Sequence, residues 1–273
     1  MTQQGLLEGL PGGSRPLMES DSPDLEALLK YTACNATQFV EHLTGRRSHK
    51  VGPTFEALVH WALTKGDGYE CLAWDLPIRG DGRTLGALDL VLRHPNGNIE
   101  HWELAYKLYL QAHEVSEWSG WVGPNERDRL SIKVSRLLDH QLPLSSRTET
   151  RKLLASLGVE AIDTKRILLL GTLFKHYRSS NSKALQASVP SQGCWAHARE
   201  CWDVANRFPD ARWSRRPKPY WFGPWHALTP SVSSTELAEG LRQDGVLRPQ
   251  LWTCSEGGGS PFFFVNDQWG NPA

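Results

Sequence analysis

Between Leu85 and Leu110 the chain alternates apolar and polar positions, LGALDLVLRH and NIEHWELAYKLYL, on either side of Pro95-Asn96-Gly97. A period of two predicts half-buried strands, and Pro, Asn and Gly in that order suit a three-residue loop with Gly97 in the left-handed conformation. Pairing His94 with Asn98 then sets Leu90 against Trp102, Leu88 against Leu104 and Gly86 against Tyr106 on one apolar face. The other face carries Asp89 opposite Glu103 and Ala87 opposite Ala105. A slip of one residue would set Asp89 against Leu104, so turn chemistry and pattern select the same register.

The flanking pattern predicts further elements. Ser22 with Pro23 opens a helix carrying Leu25, Leu28 and Leu29, and Ala36 to Leu43 a second. Gly52 to Thr64 repeats apolar residues at helical spacing, with Phe55, Leu58, Val59 and Ala62 on one face. Tyr69 to Ile78 alternates as a strand, and the turn Arg79-Gly80-Asp81-Gly82 leads into the hairpin. Continuing the apolar face sets Ala73 beside Asp89 and Asp75 beside Ala87. Gln111 to Gly123 reads as a loop, and Asn125 caps a helix reaching Gln141 with Leu130, Val134, Leu137, Leu138 and Gln141 on one stripe. Thr148 to Leu157 predicts a short helix, and Arg166 to Lys175, RILLLGTLFK, a buried strand. Residues 179–190 form a polar linker, Cys194 to Phe208 a helix, and Leu251–Ser255 and Pro261–Asn266 a strand pair. Together these describe an α/β core with a mixed sheet.

Composition narrows the class. The 273 residues are 40% hydrophobic and 22% charged with zero formal net charge, so no global basic field advertises nucleic-acid binding. No apolar run approaches the roughly 18 residues of a membrane span. The first residues lack the basic start and apolar core of an export signal. Five Cys without framework spacing point to reduced thiols in the cytoplasm. Twelve Trp are many; core packing is their commoner use, stacking on bases the rarer one.

The candidate chemistry begins with Asp89 and Glu103. Carboxylates directly across a strand pair stand roughly 5 Å apart and repel. A bound divalent cation, a nearby Lys or Arg, or a shared proton relieves the conflict. Glu56 sits early in its helix, where a carboxylate complements the helix dipole, and gains interest only in combination. Lys133, Arg136 and His140 form a basic edge, either solvated or aimed at phosphates. Arg212 to Trp225 mixes basic and aromatic residues, as a packing strand or a nucleic-acid strip would. Cys194, His197 and Cys201 approach zinc-ligand spacing but lack a local fourth ligand.

GPTFEAL, GALDLVL, HWELAYKLYL and WVGPNERDRLSIKVSRLLDHQL together resemble the PD-(D/E)XK nuclease-like superfamily and, within it, a bacterial family of unknown function. The matching blocks cover about residues 50–145. The resemblance implies a core of helix, three-stranded antiparallel meander, helix and strand over residues 21–178. Residues 1–20 would be a flexible tail, and 179–273 a Trp-rich extension packed on the core or completing it. The implied activity is Mg²⁺- or Mn²⁺-dependent hydrolysis of DNA or RNA. Asp89 and Glu103 would be the metal ligands, Glu56 the acid of the leading helix and Lys107 the motif's lysine. Gln141 or Lys133 would supply polar groups on the following helix.

One position departs from the pattern. The superfamily's lysine lies two residues after the second acid, where this chain has Ala105. Lys107 shares the strand face but lies about 13 Å along it. Either Lys107 bends back, or Lys133 reaches in from the helix, or the fold is catalytically degenerate and serves as a nucleic-acid or protein-binding module.

Overall fold

The computed structural model describes residues 34–44, 50–66, 68–112, 118–179, 192–221, 230–256 and 259–270. The expected helix from Ser22, the 1–20 tail and nearly all of the 179–190 linker lie outside them. The chain forms two compact units, Met1–Tyr106 with Lys133–Leu170, and Lys107–Ile132 with Gly171–Ala273. The fold is mixed α/β, with mostly antiparallel strands. No helix among the described residues is long and apolar enough to cross a membrane.

The first unit begins with α1 (Ala36–Thr44) and α2 (Val51–Lys65). The sequence predicts one apolar face on α2. Instead Ala57, Trp61 and Leu63 are buried along with Phe55, Leu58, Val59 and Ala62, so the helix is enclosed nearly all round. The meander is β1 (Glu70–Gly80), β2 (Arg83–Arg93) and β3 (Ile99–Gln111), followed in strand order by the first half of β5 (Thr164–His176). Helix α3 (Leu130–Arg136) runs through a π-helical turn (Leu137–Gln141) into α4 (Leu142–Leu144), and α5 (Thr148–Ser156) follows. Leu144, Leu154 and Val159 close a core on Ile78, Leu88 and Val91 of the meander.

The expected β2–β3 register is present. His94 N–H donates to the Asn98 carbonyl, Leu90 pairs with Trp102, and Gly97 has φ 95°. The ladder ends at Leu90↔Trp102, however, so the expected pairs further along, Leu88 with Leu104 and Gly86 with Tyr106, do not form. The β1–β2 register also differs from expectation. Asp81 (φ 50°) and Gly82 (φ 73°) form a tight two-residue turn, and a bulge follows in β2, where Leu85 is the extra residue between the pairs Arg79↔Thr84 and Ile78↔Gly86. The bulge shifts the pairing so that Pro77, not Asp75, stands beside Ala87. Asp75 falls between the pairs Trp74↔Leu90 and Leu76↔Leu88, and so faces Asp89.

The second unit carries the strand order β5–β6–β10–β9–β7–β8, with β6 (Gln192–His197), β7 (Arg212–Arg216), β8 (Val232–Ser233), β9 (Gln250–Cys254) and β10 (Ser260–Val265). β4 (Trp121–Val122) pairs with the end of β3. β6 is parallel to both β5 and β10, and β9 and β10 pair antiparallel as expected. The predicted 194–208 helix is instead the strand β6, a 3-10 turn (Ala198–Glu200) and α6 (Cys201–Arg207). A parallel partner on each side satisfies the β6 backbone, which outweighs its weak helical pattern. The helix predicted from Asn125 starts only at Leu130. Glu126 (φ 61°) and the Val122↔Arg129 bridge turn the preceding residues into a hairpin.

Helices α6 and α7 (Ser234–Asp244) pack on this unit's core, where Trp213, Phe262 and Phe264 are almost fully buried. Trp213 Nε1 donates to Ser234 Oγ at 2.8 Å, so its one polar atom is satisfied. Gly193 lies so close to the Phe174 ring that a Cβ would come within 2.3 Å of it. Of the Arg212–Trp225 strip, Trp213, Arg216 and Trp221 are buried, which favours packing over a nucleic-acid contact there.

Candidate functional site

The acids gather in the first unit where β2 and β3 part. Past Leu90↔Trp102 each strand uses a side chain in place of a ladder partner. Asp89 Oδ2 accepts the Leu104 N–H at 2.7 Å, and the Glu103 carboxylate accepts the Asp89 N–H. The two carboxyls lie close enough to repel as charged groups, and a proton between them relieves the conflict. Glu103 is fully buried, and donors hold both of its oxygens. The His101 ring lies 2.8 Å from Oε1, and Gln141 Nε2 donates to Oε2 at 2.8 Å. Lys133 Nζ donates to Gln141 Oε1 at 3.1 Å. The π turn explains how Gln141 reaches this group. One extra residue in the turn rotates the succeeding side chains by about 100° relative to an α-helix.

Burial pushes the Asp89 carboxyl up to about 7, and the Glu103 charge pushes the same way. Burial likewise raises Glu103 to about 7, against the Lys133 charge and the donors just named. Glu56 rises to about 7, first by burial and then through Asp89 and Asp75. The group therefore holds protons at neutrality that ordinary carboxylates have lost. His101 moves the opposite way, down to about 4, by burial and then by Lys165, so its ring is neutral. A neutral ring beside an acceptor acts as a single donor, and its other nitrogen lies 3.1 Å from Ser145 Oγ.

Of the residues singled out in the sequence, Glu56, Asp89, Glu103, Lys133 and Gln141 come together. Arg136 and His140 are exposed to solvent. Lys107 belongs to the second unit and is ion-paired with Asp128, which also accepts from Tyr109 Oη at 3.3 Å. Sequence reasoning missed His101 and Ser145, and placed Asp75 on the polar face of the acids but opposite Ala87. His101 was legible in principle, because a residue two before Glu103 on a strand shares its face. The bulge brought Asp75 opposite Asp89, and its positive φ of 52° places a non-glycine residue in a strained conformation beside the acids. Ser145 follows a π turn that no local pattern announced.

Asp89 and Glu103 offer hard oxygen ligands suited to Mg²⁺ or Mn²⁺, and their raised proton affinity marks a place where a cation would displace protons. Glu56 stands close enough to interact but does not complete a tight three-ligand set. Among the described residues, the three groups whose ligand atoms lie within 4.8 Å of one another are His176, His197 and Glu200, in the second unit. Mg²⁺ is commonly held by one or two carboxylates together with water and substrate phosphate, so two ligands are sufficient.

Cys194 and Cys201 do not join His197 in a zinc set. Strand alternation turns Cys194 to the face opposite His197, and Cys201 is buried in the apolar core with Cys254.

Neither the search of curated proteins nor that of solved structures found a match. The family described as a domain of unknown function, DUF1853, matches residues 2–248, and the chain belongs to it.

Proposed function

We propose that this member of the DUF1853 family hydrolyses phosphodiester bonds of DNA or RNA in the cytoplasm. Its core would be PD-(D/E)XK-like, with Asp89 and Glu103 holding Mg²⁺ or Mn²⁺. The observation that carries the reading is the pair of buried carboxyls of raised proton affinity at the parting of β2 and β3, with Glu56 and Lys133 near enough to couple to them. An ion bound there supplies Lewis-acid activation of water and neutralises charge on the scissile phosphate.

The chain's own groups do the rest. His101 and Gln141 orient Glu103 through its two oxygens, as outer-shell donors orient metal ligands. Glu56, with a proton affinity near neutrality, takes the proton of the attacking water. Lys133 lowers the proton affinity of all three acids and is the cation best placed to meet the phosphate. This gives Lys133 the role that the motif would assign to Lys107, whose charge is already matched by Asp128. Arg136 and His140, exposed beyond it, suit contacts to neighbouring phosphates.

The test is incubation of the purified chain with labelled single- and double-stranded DNA and RNA in Mg²⁺, Mn²⁺ or EDTA. Cleavage is expected with metal, and it disappears in EDTA, in Asp89→Asn and in Glu103→Gln. Nucleic-acid binding that persists in EDTA and in Asp89→Asn, without cleavage, would establish the degenerate binding module instead.

A further inference from the structure

We propose that His176, His197 and Glu200 of the second unit form a binding site for a borderline divalent cation, Zn²⁺ foremost. The parallel pairing of β5 and β6 sets His176 beside Trp195, and alternation then brings His197 to the same face. Glu200 follows three residues later on the 3-10 turn, where His197 and Glu200 form a capping box that fixes both side chains. The ligand atoms of the three residues lie within 4.8 Å of one another.

Hydrogen bonding decides which atoms face inward. His197 Nε2 lies 3.0 Å from the Trp269 carbonyl oxygen, which can only accept. Nε2 therefore carries the hydrogen, and Nδ1 of the neutral ring presents a lone pair. Nδ1 takes the Glu200 backbone N–H in the capping box and stands 3.3 Å from Glu200 Oε2, so an ion bound there would take this lone pair from the backbone N–H. A carboxylate oxygen and an imidazole lone pair at this distance repel unless a proton or a cation lies between them. His176 Nε2 is 2.9 Å from the same oxygen.

Ligand atoms around a tetrahedral Zn²⁺ at its usual bond lengths stand about 3.4 Å apart, close to both spacings. The Trp269 carbonyl supplies the outer partner that metal-bound histidines usually have. Arg178 pairs with Glu200 Oε1 at 3.6 Å and with Asp203 Oδ2 at 2.6 Å, so Oε2 is the Glu200 oxygen that faces the two imidazoles. Two imidazole nitrogens and one carboxylate oxygen favour Zn²⁺, Co²⁺ or Ni²⁺ over Mg²⁺ or Ca²⁺. Side-chain exposures of 22% for His176 and 13% for His197 leave solvent access for a water as fourth ligand.

The test uses the metal-stripped full chain carrying Asp89→Asn and Glu103→Gln, so that the acid pair of the first unit does not contribute. Calorimetric titration with Zn²⁺ is expected to show one ion per chain, and Co²⁺ to give the intense visible bands of a four-coordinate nitrogen and oxygen site. His176→Ala, which spares the capping box, should weaken Zn²⁺ by more than about tenfold and remove the Co²⁺ bands. His176→Asn provides a second variant, and circular dichroism checks that each remains folded. Absence of saturable Zn²⁺ binding, or binding unchanged in a folded His176 variant, would overturn the site and leave only a hydrogen-bonded cap.

Discussion

Each unit sets a carboxyl group against a histidine, and the two acids end with opposite proton affinities. In the first unit Glu103 meets His101 with both side chains fully buried, and its carboxyl rises to about 7. In the second unit burial also pushes Glu200 up, but hydrogen bonds from His176 and from the His197 backbone outweigh it and hold the group below its ordinary value. The difference is one of donors against depth. Glu200 stays partly open to solvent, whereas Glu103 is closed off, shares its site with Asp89, and faces a histidine that burial keeps neutral. A deeply buried acid pair with too few positive partners is a place that stability alone does not favour, and that is the physical reason to look for chemistry there.

The comparison breaks most visibly at Glu103. If the first unit is the reactive one, Glu103→Gln lowers metal-dependent cleavage by on the order of a thousandfold, while thermal stability holds or rises because a buried acid has been neutralised. Gel-based cleavage assays and calorimetric melting of one preparation check both. Lys133→Ala should cost about a hundredfold in turnover. Lys107→Ala should leave turnover unchanged and cost no more than about 1 kcal/mol of stability, as expected for a half-exposed ion pair. A loss of turnover in Lys107→Ala equal to that in Lys133→Ala would reverse the assignment.

Stability against pH sharpens the contrast further. Glu56, Asp89 and Glu103 keep their protons in the folded chain up to about 7, whereas the unfolded chain releases them near 4. The folded state binds more protons in between, so in EDTA the melting temperature should rise as pH falls from about 7 into the carboxylate range. Mg²⁺ at alkaline pH should raise the melting temperature and flatten that slope by taking the protons' place. Glu200 has the opposite sign. Its contribution is complete above its unfolded value of 4.5 and is lost as pH falls through its lower folded value. Glu200→Gln should therefore blunt only the acid limb of the curve, and this is the smallest effect of the set.

Short-range pattern determined much of the first unit. The Pro95-Asn96-Gly97 loop set the β2–β3 register, the alternation put Asp89 and Glu103 together, helical spacing of apolar residues marked α2, and a continuous apolar run marked β5. These features depend on turn geometry and side-chain period within a few residues, so the sequence states them outright. Tertiary structure alone decided the rest. One bulge in β2, with Leu85 as its extra residue, moved Asp75 opposite Asp89, and a π turn swung Gln141 onto Glu103. Parallel pairing of β5 with a strand that begins sixteen residues after it ends made neighbours of His176 and His197. Bulges, π turns and parallel partners are selected by the packing of distant segments, and local periodicity carries no information about which distant segment will be the neighbour.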